Sequence, residues 1–211
     1  MPLPEAPFVY PILDAGLLAG RKAAEVAGAL VAAGARLLQV RAKGLGDRAL
    51  CDLVLEVAAV AHAGGALVIV NDRPDVARIA GADGVHLGQD DTPAADVRRL
   101  MPVPALVGLS THDVAQVRGA PAGVLDYLAV GPVFATRSKA APGPLVGLPG
   151  VAAARASTAL PLVAIGGITR ANAAAVIAAG ADAVAVISEV MAGPDPGHAF
   201  RALAAALQPR R

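Results

Sequence analysis

Val70-Asn71-Asp72-Arg73 and, one helix further on, Gly84-Val85-His86-Leu87-Gly88-Gln89-Asp90-Asp91 decide the fold. Each stretch reads as a short strand, Leu67 to Val70 and Gly84 to Leu87, that breaks off into polar and acidic residues. Between them, Pro74 to Ala82 has helical spacing, which puts Val76, Ile79 and Ala80 on one side. A strand, a helix and a second strand make the two strands parallel neighbours. Asp72 and Asp91 then both lie just past their carboxyl ends, the side on which α/β sheets bind ligands. Two carboxylates with no evident internal cation suit a hard divalent ion such as Mg²⁺, commonly held by one or two carboxylates, phosphate oxygens and water. The alternative is that Asp72 caps the helix after it and Asp91 opens the next one.

Outward from this unit the same alternation runs the length of the chain. Strands are expected at Phe8 to Leu13, Arg36 to Arg41, Leu106 to Leu109, Tyr127 to Val130, Leu162 to Ile165 and Ala183 to Ile187. Helices are expected at Arg21 to Ala33, Arg48 to Ala63, Ala94 to Leu100, His112 to Val117, Arg170 to Ala179 and His198 to Leu207. The second of these helices has Leu50, Leu53, Val54, Val57 and Ala61 at helical spacing. Eight strand–helix units at intervals of roughly 20 to 25 residues are the count of an α/β (β/α)8 TIM barrel. No interdomain linker interrupts residues 1–211, so a single domain is expected, with a long loop at about 131–148 placed as an active-site lid. Gly-Ala-Asp occurs twice, at 81–83 and 180–182, before strands four and eight. Its acids lie at the strands' amino ends, away from the mouth, which marks them as structural.

Composition narrows the function. Hydrophobic residues make up 55% of the 211 but aromatics only 2%. The core is therefore aliphatic, as barrel interiors prefer. A net charge of +1 offers no general attraction to nucleic acid or to an anionic membrane. The single Cys51 excludes an intramolecular disulfide and suits a reducing cytoplasm. The first residues lack the pattern of a signal peptide. Charged residues such as Glu25, Arg36 and Glu56 interrupt every apolar run before the roughly 18 residues that a membrane helix needs.

The remaining polar residues cluster at strand ends. Gln39, Arg41 and Lys43 alternate at the end of strand two and share one face. If that face looks into the barrel, two confined cations call for an anion such as phosphate or diphosphate. The other reading is a surface Lys43 and an Arg41 paired with Asp72 or Asp91. Ser110 follows strand five as a helix N-cap, a phosphate ligand or both. His112 falls on the first turn of the next helix in a structural role, and His86 reads as a neutral core or rim histidine. Thr136, Ser138 and Lys139 after strand six suit phosphate oxygens. Gly166 and Gly167 after strand seven let backbone approach a ligand, and Val186-Ile187-Ser188 ends strand eight. Barrel phosphate sites commonly use the loops after strands seven and eight.

Gln39-Val40-Arg41-Ala42-Lys43, Val70-Asn71-Asp72-Arg73, Asp83 to Asp91, Gly131-Pro132-Val133-Phe134, Ala164-Ile165-Gly166-Gly167-Ile168 and Val186-Ile187-Ser188 together resemble the thiamine phosphate synthase family over nearly the whole chain. The resemblance implies condensation of an aminopyrimidine diphosphate ester with a thiazole phosphate, giving thiamine phosphate and diphosphate by a dissociative route. It implies Asp72 and Asp91 as Mg²⁺ ligands. It places Gln39, Arg41, Lys43, Asn71, Ser110 and Lys139 on the pyrimidine diphosphate, with Arg41, Lys43 and Lys139 neutralising the leaving group. Thr136, Ser138, Gly167, Ile187 and Ser188 fall to the thiazole phosphate. The implied partners are these small molecules, with a homodimer left open. Ser138 stands where a second Thr is usual, Ala135 where a Pro is common, and Leu13 where a Thr is common, beside the expected pyrimidine pocket. Two alternatives remain: a thiazole tautomerase-like isomerase needing no metal, and a non-catalytic regulator that binds thiazole phosphate on the same barrel.

Overall fold

A computed structural model of the chain describes residues 1–121, 123–136 and 144–207. Eight parallel strands close in sequence order, β8 pairing back onto β1. They are β1 (Phe8–Asp14), β2 (Leu37–Arg41), β3 (Leu67–Asn71), β4 (Gly84–Leu87), β5 (Leu106–Thr111), β6 (Tyr127–Val130), β7 (Leu162–Ile165) and β8 (Ala183–Val186). Around them lie α1 (Ala23–Ala32), α2 (Asp47–Ala63), α3 (Pro74–Ile79), α4 (Ala94–Leu100), α5 (Val114–Gly119), α6 (Gly147–Arg155), α7 (Ala173–Ala178), α8 (Ser188–Met191) and α9 (Pro196–Leu207). The (β/α)8 barrel read from the sequence is the fold. Among the described residues, no helix is long and apolar enough to cross a membrane.

Strand alternation sorts the aliphatic residues into two cores. Val9, Leu13, Leu38, Val40, Val68 and Val70 face outward, against the helices. Tyr10, Ile12, Leu37, Ile69, Leu106 and Tyr127 face inward and fill the barrel. This parity settles Leu13: wholly buried under the helices, it forms no wall of the mouth, and its departure from the family pattern does not reach the site. Gly108 is required by the inner core, because a Cβ there would stand 2.1 Å from the Tyr127 ring.

Three of the departures from the sequence reading have clear physical reasons. Ile79 is 73% exposed, whereas Val76, Ala77 and Ala80 are buried. A helix ending at Ile79 is short enough to tilt its apolar stripe onto Val76 and Ala80, four residues apart. α6 has no counterpart in the sequence reading, because Gly147, Pro149 and Gly150 mask the periodicity that buries Val151 and Ala154. β5 runs two residues further than expected, to Thr111, whose hydroxyl donates to the Ala129 carbonyl at 2.9 Å. The lid expected at about 131–148 falls partly on 137–143, outside the described residues, and its last residues already belong to α6.

The Gly-Ala-Asp turns prove to be two of three copies of one clasp at the closed end of the barrel. Before each even strand from β4 onward, an Asp accepts a backbone N–H from the preceding strand. Asp83 takes Val68 at 2.7 Å, Asp126 takes Val107 at 2.7 Å and Asp182 takes Leu162 at 2.8 Å. Each also meets a basic side chain from a helix two strands back: His62, Arg98 and Arg155 respectively. Asp126→Ala orphans the Val107 N–H and removes the carboxylate partner of a largely buried Arg98, which keeps its bonds to the Val124, Met101 and Ala105 carbonyls. It is expected to cost about 2–3 kcal/mol in denaturant unfolding with substrate KM unchanged. A loss below about 0.5 kcal/mol, as for an ordinary surface residue, would show that water replaces the carboxylate.

Candidate active site

At the opposite end, the carboxyl termini of the strands surround a cavity of about 990 Å³. Every described residue that the sequence reading nominated lines it. Gln39 and Arg41 enter from β2 and Lys43 from the turn after it, Asn71 and Asp72 from the end of β3 and the residue beyond, Asp91 from the β4 loop and Ser110 from β5. Thr136, Gly167, Ile187 and Ser188 close the far side. Ser138 and Lys139 lie outside the described residues.

Neither acid caps a helix. α3 is capped by Arg73 and α4 by Pro93, neither through a side-chain bond. Asp91 instead turns back to accept the Gly88 N–H at 2.6 Å, which holds the loop after β4 closed. Asp72 sits at φ 64°, a left-handed conformation that Asp tolerates better than most residues. Its own N–H donates to the His86 carbonyl at 2.8 Å, which ties the β3 end to β4. The two carboxyls come within hydrogen-bonding reach, and burial together with the Asp91 carboxylate holds the Asp72 carboxyl above the usual carboxylate range. Lys43 and the Asn71 amide oppose that shift. The acids therefore do have a cation near them, with Lys43 Nζ 3.8 Å from Asp72.

Arg41 points inward as its strand position requires, yet its partner is neither Asp72 nor Asp91. It is Asp14 on β1, directly opposite in the sheet register. Asp14 also accepts the Gly16 N–H at 2.9 Å. Arg41 and Lys43 are thus locally compensated, and among the described residues the cavity lining leans acidic. Among the described residues, Arg41 and Lys43 face Asp72, Asp90, Asp91 and Glu189. A polyanionic ligand entering such a mouth needs further positive charge.

Two loops build the other wall. Gly166 and Gly167 have φ of 102° and 63°, and a Cβ at Gly167 would stand 2.4 Å from the Ala135 carbonyl oxygen. Asn172 holds this turn from behind, accepting the Thr169 N–H and donating to the Gly167 carbonyl. Glu189 accepts the Arg170 N–H at 2.9 Å and so joins the β7 and β8 loops.

Ser110 is not an N-cap, because Asp113 caps α5 by accepting the Gln116 N–H at 2.8 Å. His112 precedes that helix, and its Nδ1 lies 2.7 Å from the Gly131 carbonyl, so the ring donates from Nδ1. His86 is the neutral rim histidine expected from the sequence, and it also has a place in a hydrogen-bond line. Its ring bridges Tyr127 and Ser110, and burial pushes its pKa down to about 4 against a smaller opposing pull from Asp91. Tyr10, another lining residue the sequence reading did not nominate, bonds to Gln39 and Tyr127. These are the chain's two tyrosines. Their inward strand positions in so aromatic-poor a sequence were the available clue.

A closed parallel barrel that gathers its polar side chains at the carboxyl ends of its strands defines a TIM-barrel enzyme. The family model for thiamine monophosphate synthase matches residues 9–190. The chain belongs to that family. It is 47% identical over 195 residues to a thiamine-phosphate synthase of Methanoregula boonei, covering 92% of this chain and 90% of that one. A thiamine-phosphate synthase of Chloroflexus aurantiacus is 44% identical over 197 residues, covering 93% and 91%. Among solved structures, a thiamine phosphate pyrophosphorylase from Pyrococcus furiosus superimposes with a TM-score of 0.85 at 31% identity, covering 95% of each chain. A 3-hexulose-6-phosphate synthase, at TM-score 0.69 and 20% identity, shares the fold.

Proposed function

We propose that this protein is a thiamine phosphate synthase. It joins 4-amino-2-methyl-5-(diphosphooxymethyl)pyrimidine to thiazole phosphate and releases diphosphate. The carrying observation is the Asp72–Asp91 pair beside Arg41 and Lys43 in the one mouth of a member of this family.

The residues fit a bound Mg²⁺. Two adjacent carboxyls, one held above its usual pKa by burial and by the other, form a hard oxygen donor set whose repulsion a divalent cation would relieve. The excess of acids over cations among the described residues of the mouth would otherwise repel a diphosphate. When bound there, Mg²⁺ would supply positive charge against the diphosphate oxygens.

Arg41 and Lys43 donate to the same diphosphate as its charge develops, and Asn71 and Ser110 add neutral donors. In the dissociative route the methylene C–O bond breaks with its electron pair leaving on diphosphate. The 4-amino group stabilises the pyrimidine-methyl cation by resonance, and the thiazole nitrogen then forms the C–N bond. No protein nucleophile is needed. Gln39 orients the pyrimidine. Thr136, the Gly167 turn and the backbone at Ile187 and Ser188 hold the thiazole phosphate, with both reactants fixed for direct capture. Ser138 and Lys139 are assigned to the same two phosphate groups on the family pattern. A cytoplasmic enzyme suits the free Cys51.

Diphosphate release from the pyrimidine substrate, followed with and without thiazole phosphate, tests this reading. EDTA is expected to stop release and added Mg²⁺ to restore it. Undiminished turnover in EDTA, or isomerisation of a thiazole without diphosphate release, would favour the metal-free isomerase instead.

A further inference from the structure

Behind the mouth, a line of hydrogen bonds crosses the barrel from β2 to β5. Gln39 Nε2 donates to the Tyr10 hydroxyl at 3.1 Å, and the Tyr10 and Tyr127 hydroxyls lie 3.2 Å apart. Tyr127 is 3.0 Å from His86 Nδ1, and His86 Nε2 is 2.8 Å from Ser110 Oγ. Packing fixes the rings, with His86 stacked on Tyr127 at 5.4 Å and Tyr10 edge-on to Tyr127 at 6.1 Å. Tyr10 and Tyr127 are almost wholly buried, so none of their protons can turn to water.

The direction of the line follows from its first member. An amide nitrogen only donates, so the Tyr10 oxygen is an acceptor from Gln39 and must spend its own proton on Tyr127. The Tyr127 proton then goes to His86 Nδ1. A neutral imidazole that accepts at Nδ1 carries its proton on Nε2 and donates it to Ser110. Ser110, already an acceptor, has its own hydroxyl proton left for the cavity. In the opposite direction the Tyr10 proton would have no acceptor on this line.

We propose that Gln39, Tyr10, Tyr127 and His86 form a one-way hydrogen-bond line that presents the Ser110 hydroxyl to the mouth as a donor. Tyr127, which does not line the cavity, is then a positioning residue that acts through His86. The kinetic part rests on the synthase reading above; the direction of the line does not. As a donor Ser110 favours an anionic leaving group, whereas an inward-turned hydroxyl would offer it only lone pairs.

The experiment has a spectroscopic and a kinetic arm. In ligand-free wild-type protein with ¹⁵N-labelled histidine, ring correlations are expected to show His86 protonated at Nε2. In Gln39→Glu, a carboxylate can only accept from Tyr10, so the line should reverse and move the His86 proton to Nδ1. In Tyr127→Phe the Nδ1 acceptor loses its donor and a mixture of tautomers is expected. Kinetically, Tyr127→Phe should lower the rate of diphosphate release about ten- to hundredfold without raising KM for thiazole phosphate. Ser110→Ala should add little in that background, as for residues acting as one unit. An Nδ1–H tautomer in the wild type, no response to Gln39→Glu, or fully additive losses would each overturn the proposal. A wild-type protein that releases no diphosphate from the pyrimidine substrate would instead refute the synthase reading, with the tautomers still deciding the direction of the line.

Discussion

Turnover falls by about a thousandfold or more in Asp91→Asn, and the metal-free variant melts at a higher temperature than the wild type. Both halves of this expectation come from one feature. Asparagine keeps the shape of the side chain, and its Oδ1 can still accept the Gly88 N–H that closes the loop after β4. What disappears is the charge. In the wild type, burial and the neighbouring Asp91 hold the Asp72 carboxyl above its unfolded value. A carboxyl whose folded pKa is raised binds its proton more tightly in the folded state. Its contribution to stability therefore falls as pH rises from the ordinary carboxylate range through the raised value. At pH above that raised value the wild type bears the penalty in full, and removing the Asp91 charge relieves the part of it that does not come from burial. Mg²⁺ should relieve it in the wild type too, so the Mg²⁺-induced rise in Tm is expected to be larger at pH 8 than at pH 5. In Asp91→Asn that rise should largely vanish. Scanning calorimetry at the two pH values with and without Mg²⁺, beside a diphosphate-release assay, checks all of this. Normal turnover, or an undiminished Mg²⁺ increment in the variant, would remove Asp91 from the metal site.

What the sequence disclosed, and what it withheld, divides along the range of the interactions involved. Alternation along a strand is local, so the shared face of Gln39 and Arg41 and the placement of Asp72 past β3 were legible from the residues themselves, whereas the inward direction of that face needed the closed barrel. The partner of Arg41 was not, because Asp14 meets it only through the β1–β2 register. The same holds for His86: nothing in Val85-His86-Leu87 reveals that Tyr127 and Ser110 approach its ring from β6 and β5. Helices that bury few residues were hardest. α6 opens on Gly147, Leu148, Pro149 and Gly150, and tertiary packing of Val151 and Ala154 overrides that poor propensity. Ile79 was put on one side with Val76 and Ala80 on spacing alone, and the short length of α3 left it in solvent.

Arg41→Met is the second substitution with a large expected effect, and a companion variant separates its two consequences. Arg41 and Asp14 are both largely buried, with side chains 17% and 12% exposed. Among the described residues, removing the guanidinium leaves the Asp14 carboxylate with only the Gly16 N–H. Such a stranded charge should cost about 3–5 kcal/mol of stability. Turnover should fall about a hundredfold or more, since the guanidinium faces the mouth where leaving-group charge develops. Asp14→Asn together with Arg41→Met leaves no unpaired charge, and the asparagine oxygen can still accept from Gly16. The double variant is therefore expected to recover most of the lost stability and none of the lost turnover. Asp14→Asn alone keeps the cation in the cavity and frees it from its partner, so its turnover should stay well above that of either Arg41 variant. Denaturant unfolding and diphosphate release measured across the four proteins form a complete cycle. If turnover returned with stability in the double variant, Arg41 would be a structural partner of Asp14. If it did not, the guanidinium acts on the departing diphosphate itself.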